Sequence, residues 1–397
     1  MACGKFMMGV ETRGIDLPGE IPQRGKLFVS STTPDICRQL RETAHLTGFS
    51  VSEPFADVVA VELRGEGLRM LTDAWSEALS SAAQAGVRCY LSAGEAIPNC
   101  AQLMRSHSLA SLKDWVNGQW LNEVIGGQRL ITHFQPIVRT RNPETVFAYE
   151  CLLRGQDQEG NLITPDRLYA AARGANLLDR LDSEARLTAI QSASVRALSS
   201  CVFVNFNPRS IDSPHKSLQS TLRAVLSSAI PTENFVFEVV ESEEISDTDS
   251  LIDIAEHFRM AGCRVALDDV GAGYNSLNLI AILKPDFIKL DMGLIRNVDR
   301  DTYKAHVTGK LLELARDLGV RTVAEGVETE SEWRWACEHG ADFAQGYFFA
   351  RPAAEPPRSA QSSRDLPNVT FASEIFAAAA EVDAVGADLT SAKSLQN

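Results

Sequence analysis

The sequence predicts an α/β protein in which a C-terminal modified TIM-type (β/α) barrel is preceded by a small α/β domain. Three observations lead there. At 397 residues the chain exceeds one ordinary compact domain. Its hydrophobic fraction of 45% and charged fraction of 23% are those of a globular chain with a sizeable core. From Leu130 onward one phrase recurs: a short apolar run, a polar residue at its end, then a helical pattern.

Residues 1–102 are expected to form the small domain, whose input the sequence leaves open. Leu27 to Ser30, Val58 to Leu63 and Val87 to Ser92 read as short buried strands. Between the last two, Leu68, Leu71, Trp75, Leu79 and Ala82 recur at steps of three or four, one face of an amphipathic helix. The alternation weakly resembles a degenerate response-regulator receiver. A receiver needs acidic residues after its first strand, and Ser30, Ser31 and Thr32 stand there instead, so no phosphotransfer chemistry is assigned. Residues 103–128 read as a connecting helix carrying Leu109, Leu112, Trp115, Val116, Trp120 and Val124, equally able to pass a signal or to act as a spacer. The barrel is expected over 129–353. An Ala/Ser/Pro-rich flexible tail is expected over 354–397, with a marginal helix from Ser373 to Val382.

A net charge of −14 and a pI near 5.1 argue against general binding to a nucleic acid polymer, because no basic excess displaces counterions. A small phosphorylated ligand is compatible if a metal supplies positive charge locally. No apolar run approaches a membrane span and the N-terminus lacks a signal-peptide pattern, so a cytoplasmic location is expected. The eight cysteines are scattered without zinc or redox spacing and read as reduced thiols. The seven histidines lack metal spacing as well.

Seven strand endings carry the chemistry. They are Phe147 to Glu150, Val202 to Asn205, Phe235 to Glu238, Val265 to Asp268 and Asp269, Phe287 to Lys289 and Asp291, Thr322 to Glu325, and Phe343 to Gln345. In a parallel barrel the carboxyl ends of the strands share one face, so these residues are expected to converge. So many carboxylates would repel one another without a counterion. Bound cations resolve the conflict, and an all-oxygen ligand set suits Mg²⁺ or Mn²⁺. The pleat is lost at a strand end, which lets both Asp268 and Asp269 face the site and one carboxylate bridge two metals.

Lys289 and Asp291 point to the same side by the period-two rule. As an isolated pair they would read as a surface salt bridge. Beside cations, the Lys289 amine is expected to have a lowered pKa and to orient or deprotonate an attacking water. The glycine-rich segment Asp269 to Ser276 reads as a tight connection that can also change shape beside the ligands.

The stretch from about Leu130 to Pro352 closely resembles the EAL family of cyclic di-GMP phosphodiesterases. The matching segments are Phe134 to Ile137, Glu150 to Arg154, Val204 to Asn207, Glu238 to Ser242, Asp268 to Ser276, Ile288 to Asp291, Ala324 to Glu328 and Gln345 to Tyr347. The resemblance implies metal ligation by Glu150, Asn205, Glu238, Asp268, Asp269 and Glu325, with two ions of Mg²⁺ or Mn²⁺ per site. It implies Lys289 as the residue activating water, Gln345 assisting, and Gln135 and Arg154 holding the dinucleotide, with Asp291 also expected to bind substrate. Glu241 would brace the glycine-rich loop. The family's product is the linear dinucleotide pGpG, and homodimers are common. Cys151 replaces the signature alanine, Val270 the usual phenylalanine, and Ala272 a frequent threonine. Those departures touch the loop and the packing behind the ligands, so they bear on rate and regulation. The competing reading is a silent cyclic di-GMP receptor or protein-interaction module on the same fold; another metal-dependent barrel hydrolase fits the carboxylates but not the ordered motifs.

Overall fold

A computed structural model describes residues 21–92, 97–99, 106–208, 218–239, 248–272 and 276–357. The expected tail from residue 358, its helix, Glu241 and residues 273–275 of the glycine-rich loop lie outside the described residues.

The first domain runs β1 (Arg24–Ser30), α1 (Pro34–Leu46), β2 (Val51–Phe55), β3 (Val58–Arg64), α2 (Gly67–Ala78), α3 (Ser81–Gly86), β4 (Arg88–Ser92) and β5 (His107–Ser108). All three expected strands are present. The sheet order is β2-β3-β1-β4-β5 and every pairing is antiparallel, a split βαββαβ arrangement. This corrects the receiver comparison, since a receiver sheet is parallel. Alternating strand and helix does not fix strand direction; the direct β2 to β3 hairpin, with Asp57 at φ 60°, does. The helix read through Ala82 breaks earlier. Leu79 is extended, and Ser80 caps α3 by accepting from the Ala83 N–H.

Two short helices follow, α4 (Leu109–Gly118) and α5 (Trp120–Gly126). They are buried. Leu109, Leu112, Trp115 and Val116 belong to one apolar cluster with Leu71 and Trp75 of the first domain and Leu168 and Ala172 of the barrel. After β6 (Leu130–Arg139), β7 (Asn142–Gln156) and β8 (Leu162–Ile163) comes α6 (Pro165–Ala175), which α4 crosses closely. A Cβ on Gly118 would meet the Ala171 carbonyl oxygen at 2.5 Å, and one on Gly174 the Asp114 oxygen at 2.9 Å. Glycine from each helix lets the backbones touch.

The chain continues with α7 (Leu178–Val195), β9 (Cys201–Phe206), α8 (Gln219–Ser227), β10 (Phe235–Val239), α9 (Thr248–Met260), β11 (Arg264–Val270), α10 (Ser276–Leu283) and β12 (Phe287–Leu290). It ends with α11 (Met292–Ile295), α12 (Thr302–Leu318), β13 (Arg321–Ala324), α13 (Glu330–Glu338) and β14 (Phe343–Ala344). Eight strands close a barrel in the order β6-β14-β13-β12-β11-β10-β9-β7, with β6 pairing β7 to shut it. Strand β6 runs antiparallel to both neighbours, the modification of the regular (β/α) barrel. Phe203, Val236, Phe287, Val323 and Phe343 fill the interior, so the barrel is a packed core. None of the described helices is long and apolar enough to cross a membrane.

Glycine at 346 is required by packing: a Cβ there would overlap the carbonyl oxygen and nitrogen of Val327. Gly309, inside α12, faces no such contact, its nearest neighbour being His339 at 3.9 Å. Gly346→Ala is expected to destabilise by about 2 kcal/mol or more, and Gly309→Ala to stabilise by about 0.5–1 kcal/mol. Denaturant melts of the two variants check this; equal effects would contradict it.

Candidate metal centre

Glu150 lies in the middle of the long strand β7, whose pairing with β6 continues to Gly155, and not at a strand end as expected. It still reaches the carboxyl face, because parallel pairing sets it beside Phe203, with Asn205 two residues further up β9. Asn205 in turn is level with Glu238 on β10. The amide of Asn205 donates to Glu150 Oε1 at 3.1 Å, leaving the amide oxygen as the atom it could offer a cation. Gln345 Nε2 donates to Glu150 Oε2 at 2.6 Å and to Gln135 Oε1 at 3.1 Å.

Asp268 and Asp269 both reach the site because β11 is irregular there. Its register with β12 shifts between Leu267 and Val270, and Asp269 takes φ 54°. A left-handed non-glycine residue costs about 1 kcal/mol or more. The bend turns two consecutive carboxylates toward one centre. Ligand atoms of Glu150, Glu238 and Asp268 lie within 4.8 Å of one another, as do those of Asp268, Asp269 and Glu325. The two triads share Asp268.

At the centre stands Lys289, fully buried. Its Nζ lies 2.7 Å from Glu325, 3.0 Å from Glu238 and Asp268, and 3.5 Å from Glu150. Burial pushes the amine down, but the carboxylates of Asp268, Glu150, Glu238 and Glu325 outweigh it and hold its pKa well above the ordinary lysine value. In the absence of cations the protein's own groups around Lys289 are anions, and they keep it charged; the lowered pKa expected beside cations belongs to the metal-loaded site.

One ammonium does not offset four buried carboxylates. Burial pushes Glu238 and Glu325 well up, and Asp269 up to about 6 with the help of Asp268. Glu150 is held low despite burial by Lys289 and by its bonds from Gln345 and Asn205. Both Glu238 oxygens and Gln345 Oε1 are buried without a hydrogen-bond partner. Lys289 is an ion-pair neighbour of Glu238 at 3.0 Å but not a well-aligned donor. Buried acceptors left unpaired, with a shortage of positive charge and an all-oxygen donor set, fit divalent cations.

Beside the triads lies a cavity of about 310 Å³, lined among others by Gln135, Asp269, Asp291, Glu325 and Tyr347. Asp291 lines it while its Oδ1 accepts from the Gly293 N–H and caps α11. On the far side of Asn205 a second cavity of about 260 Å³ is lined by Cys151, Tyr169 and Asp182. Arg154 is half-buried, with Nη1 donating to the Leu153 carbonyl at 2.7 Å. Glu241 lies outside the described residues.

Sequence reasoning missed three supports. Asp182 and Arg186 form a buried ion pair beneath the second cavity, with Arg186 Nε donating to Thr221 Oγ1 at 3.2 Å. Their spacing of four on a helix is the ordinary sign of a surface pair, so the sequence carried no cue to burial. Arg351 stacks over the Tyr347 ring at 4.2 Å on the rim of the first cavity. Glu332 accepts from the N–H groups of Asn297, Glu328 and Thr329 at 2.8–3.0 Å and fixes the turn after Glu325; the T-x-x-E spacing from Thr329 was a readable capping box.

Removing the central ammonium should therefore be felt in folding. Lys289→Met is expected to lower the stability of the metal-free protein by about 3–5 kcal/mol, the cost of breaking a buried ion pair from one side. Added Mg²⁺ should restore part of it. Thermal melts in EDTA and in Mg²⁺ check this, and an unchanged melt in EDTA would contradict the charge account.

Comparison with known proteins agrees with this geometry. The family model described as the EAL domain matches residues 119–352. The chain is 28% identical over 238 residues to the Pseudomonas aeruginosa protein named bifunctional diguanylate cyclase/cyclic di-GMP phosphodiesterase MucR, covering 58% of this chain and 34% of that protein. It is 26% identical over 240 residues to the Escherichia coli cyclic di-GMP phosphodiesterase PdeR, covering 58% of this chain and 35% of PdeR. The matched part thus spans about a third of the length of these relatives. Among solved structures, a standalone EAL protein from Vibrio cholerae in its c-di-GMP-bound form superposes with a TM-score of 0.51 at 33% identity, covering 58% of this chain and 95% of that one. The phosphodiesterase of MucR in complex with c-di-GMP gives a TM-score of 0.53 at 26% identity, covering 59% and 95%. The chain belongs to the EAL domain family.

Proposed function

We propose that this protein hydrolyses cyclic di-GMP to the linear dinucleotide pGpG with two divalent cations, Mg²⁺ or Mn²⁺. The observation that carries the reading is the pair of carboxylate triads sharing Asp268 around a buried lysine. Glu150, Asn205, Glu238 and Asp268 would hold one cation, and Asp268, Asp269 and Glu325 the other. When bound, two hard cations acidify an attacking water and neutralise charge building on the phosphodiester.

The chain's own residues divide the remaining work. Lys289 would orient the water; with cations held by the carboxylates around it, its ammonium would give up its own proton to solvent and the neutral amine could then take one from the water. Gln345, anchored on Glu150 and Gln135, fixes the water's position. Arg154 supplies a guanidinium fork for a phosphate, and Gln135 and Asp291 line the cavity that receives the ligand. Two cavities flanking the Glu150 and Asn205 pair suit a ligand with two bases astride one phosphodiester. The reaction would take place in the cytoplasm.

The active form is proposed to be a dimer. Tyr303, Val307, Leu314 and Leu318 make an exposed apolar stripe along one face of α12, at steps of four and seven.

Incubation with cyclic di-GMP and Mg²⁺, followed by chromatography, is expected to yield the linear dinucleotide. Glu150→Ala should abolish turnover while the fold persists, and Ca²⁺ should inhibit, because its longer, looser coordination misplaces the water. Lys289→Met should cost about two to four orders of magnitude in rate. Binding of cyclic di-GMP without hydrolysis by the parent in either Mg²⁺ or Mn²⁺ would make the receptor reading the correct one.

A further inference from the structure

The barrel has a second mouth, at the amino-terminal ends of its parallel strands, facing away from the carboxylates. Taken in sheet order from β11 to β7, the residues around this mouth alternate arginine with phenylalanine: Arg264, Phe287, Arg321, Phe343, Arg139 and Phe147. Two residues deeper on their strands, Ala266, Val323 and Ile137 fill the barrel interior. By the period-two rule Arg264 and Arg321 therefore project into the mouth and not toward the surrounding helices. Strand β6 is irregular between Ile137 and Arg139, and the Phe147 and Phe343 rings under the Arg139 guanidinium place that residue there.

The rings form a floor under the guanidinium groups. Arg321 Cζ lies 4.1 Å from the Phe287 centroid and 5.8 Å from that of Phe147; Arg139 Cζ lies 5.4 Å from Phe147 and 5.8 Å from Phe343. Both charges thus sit over one ring. Arg264 Nη1 is 3.8 Å from the thiol of Cys201, which closes the circle on β9, and all three guanidinium charges act on that thiol.

No carboxylate pairs with these arginines among the described residues. The nearest acids are engaged elsewhere: Asp286 accepts from the Val265 N–H at 2.9 Å, and Asp342 from the Thr322 N–H at 2.8 Å and hydroxyl at 3.1 Å. Burial and the like charge of Arg264 both push Arg321 down, while Asp286 and Asp342 offset this in part. Three guanidinium groups are gathered in this way in a chain of net charge −14, so the cluster is not a sample of a basic surface. Stacking occupies the faces of Arg139 and Arg321 and leaves their N–H edges free to donate.

We propose that this mouth is a binding site for a phosphate-type oxyanion, either a free phosphate or diphosphate or the phosphate end of a nucleotide. A guanidinium fork donates two parallel hydrogen bonds to such a group, and several forks around one axis match a multiply charged tetrahedral anion better than a carboxylate. The site is separate from the metal centre and does not depend on the proposed reaction.

The test is calorimetric titration of the metal-free full-length chain with inorganic pyrophosphate and, in a second arm, with guanosine triphosphate, at matched ionic strength. Pyrophosphate is expected to bind and to raise the melting temperature. Arg321→Gln should weaken binding at least tenfold, and Arg139→Gln combined with Arg321→Gln should abolish it, whereas Arg154→Gln at the catalytic face should leave it intact. Tighter binding of the nucleotide, lost in the same variants, would identify the nucleotide as the source of the phosphate. If Arg321→Gln does not fold, Arg139→Gln and Arg321→Lys carry the same comparison. Absence of binding at millimolar pyrophosphate, binding that survives in the folded Arg139 and Arg321 variants, or binding lost in Arg154→Gln would overturn the proposal.

Discussion

A single fully buried ammonium organises the carboxyl face of the barrel. Lys289 is surrounded by carboxylates from four other strands, and without its charge those groups would be isolated anions in a low-dielectric interior. One positive charge is too little for four acids, so Glu238 and Glu325 are forced toward the neutral form while Glu150, supported by two amide donors, stays ionised. That imbalance is the electrostatic condition in which divalent cations gain most by entering. Lys289 is the counterion to these acids in the metal-free protein, and under the proposed function cations would take over that part and let its amine lose its proton.

The surrounding fold supplies the positions. Parallel strands align Asn205 with Glu238, the irregularity at Asp269 turns two consecutive acids to one centre, and the antiparallel β6 delivers Gln135 opposite Glu150. Around this centre, the first domain is not a separate bead on a linker. Its core continues through α4 into α6, and the close crossing at Gly118 and Gly174 joins the two parts by backbone contact. Strand β7, which carries Glu150 and Arg154, packs against α6 as well.

Much of the site was legible in the sequence because barrel chemistry is written at strand ends, and apolar runs closing on Asn205, Glu238, Asp268 and Glu325 mark them. Glu150 was marked by the apolar run from Phe147 that closes on it, although its strand runs on past it, since the hairpin of β6 and β7 has no helix to show where a strand stops. The direction of the first domain's strands was not legible, because strands alternating with helices occur both in a parallel receiver sheet and in a split βαββαβ sheet. The upward shift of Lys289 in the metal-free protein was not legible, because sequence places acids near the amine without saying how close, and only distances show four carboxylates as its immediate neighbours. Asp182 with Arg186, and the arginines of the opposite mouth, were invisible because isolated charged residues at a strand start or on a helix read as solvated surface.

The central claim is that the two triads sharing Asp268 hold a pair of cations. The most direct measurement is electron paramagnetic resonance of the protein titrated with Mn²⁺, which counts bound ions and detects coupling between neighbours. The account expects two ions per chain with a spin-coupled signal, reduced to at most one uncoupled ion in Asp268→Asn. A single uncoupled ion in the parent, or a coupled pair that survives in Asp268→Asn, would contradict it.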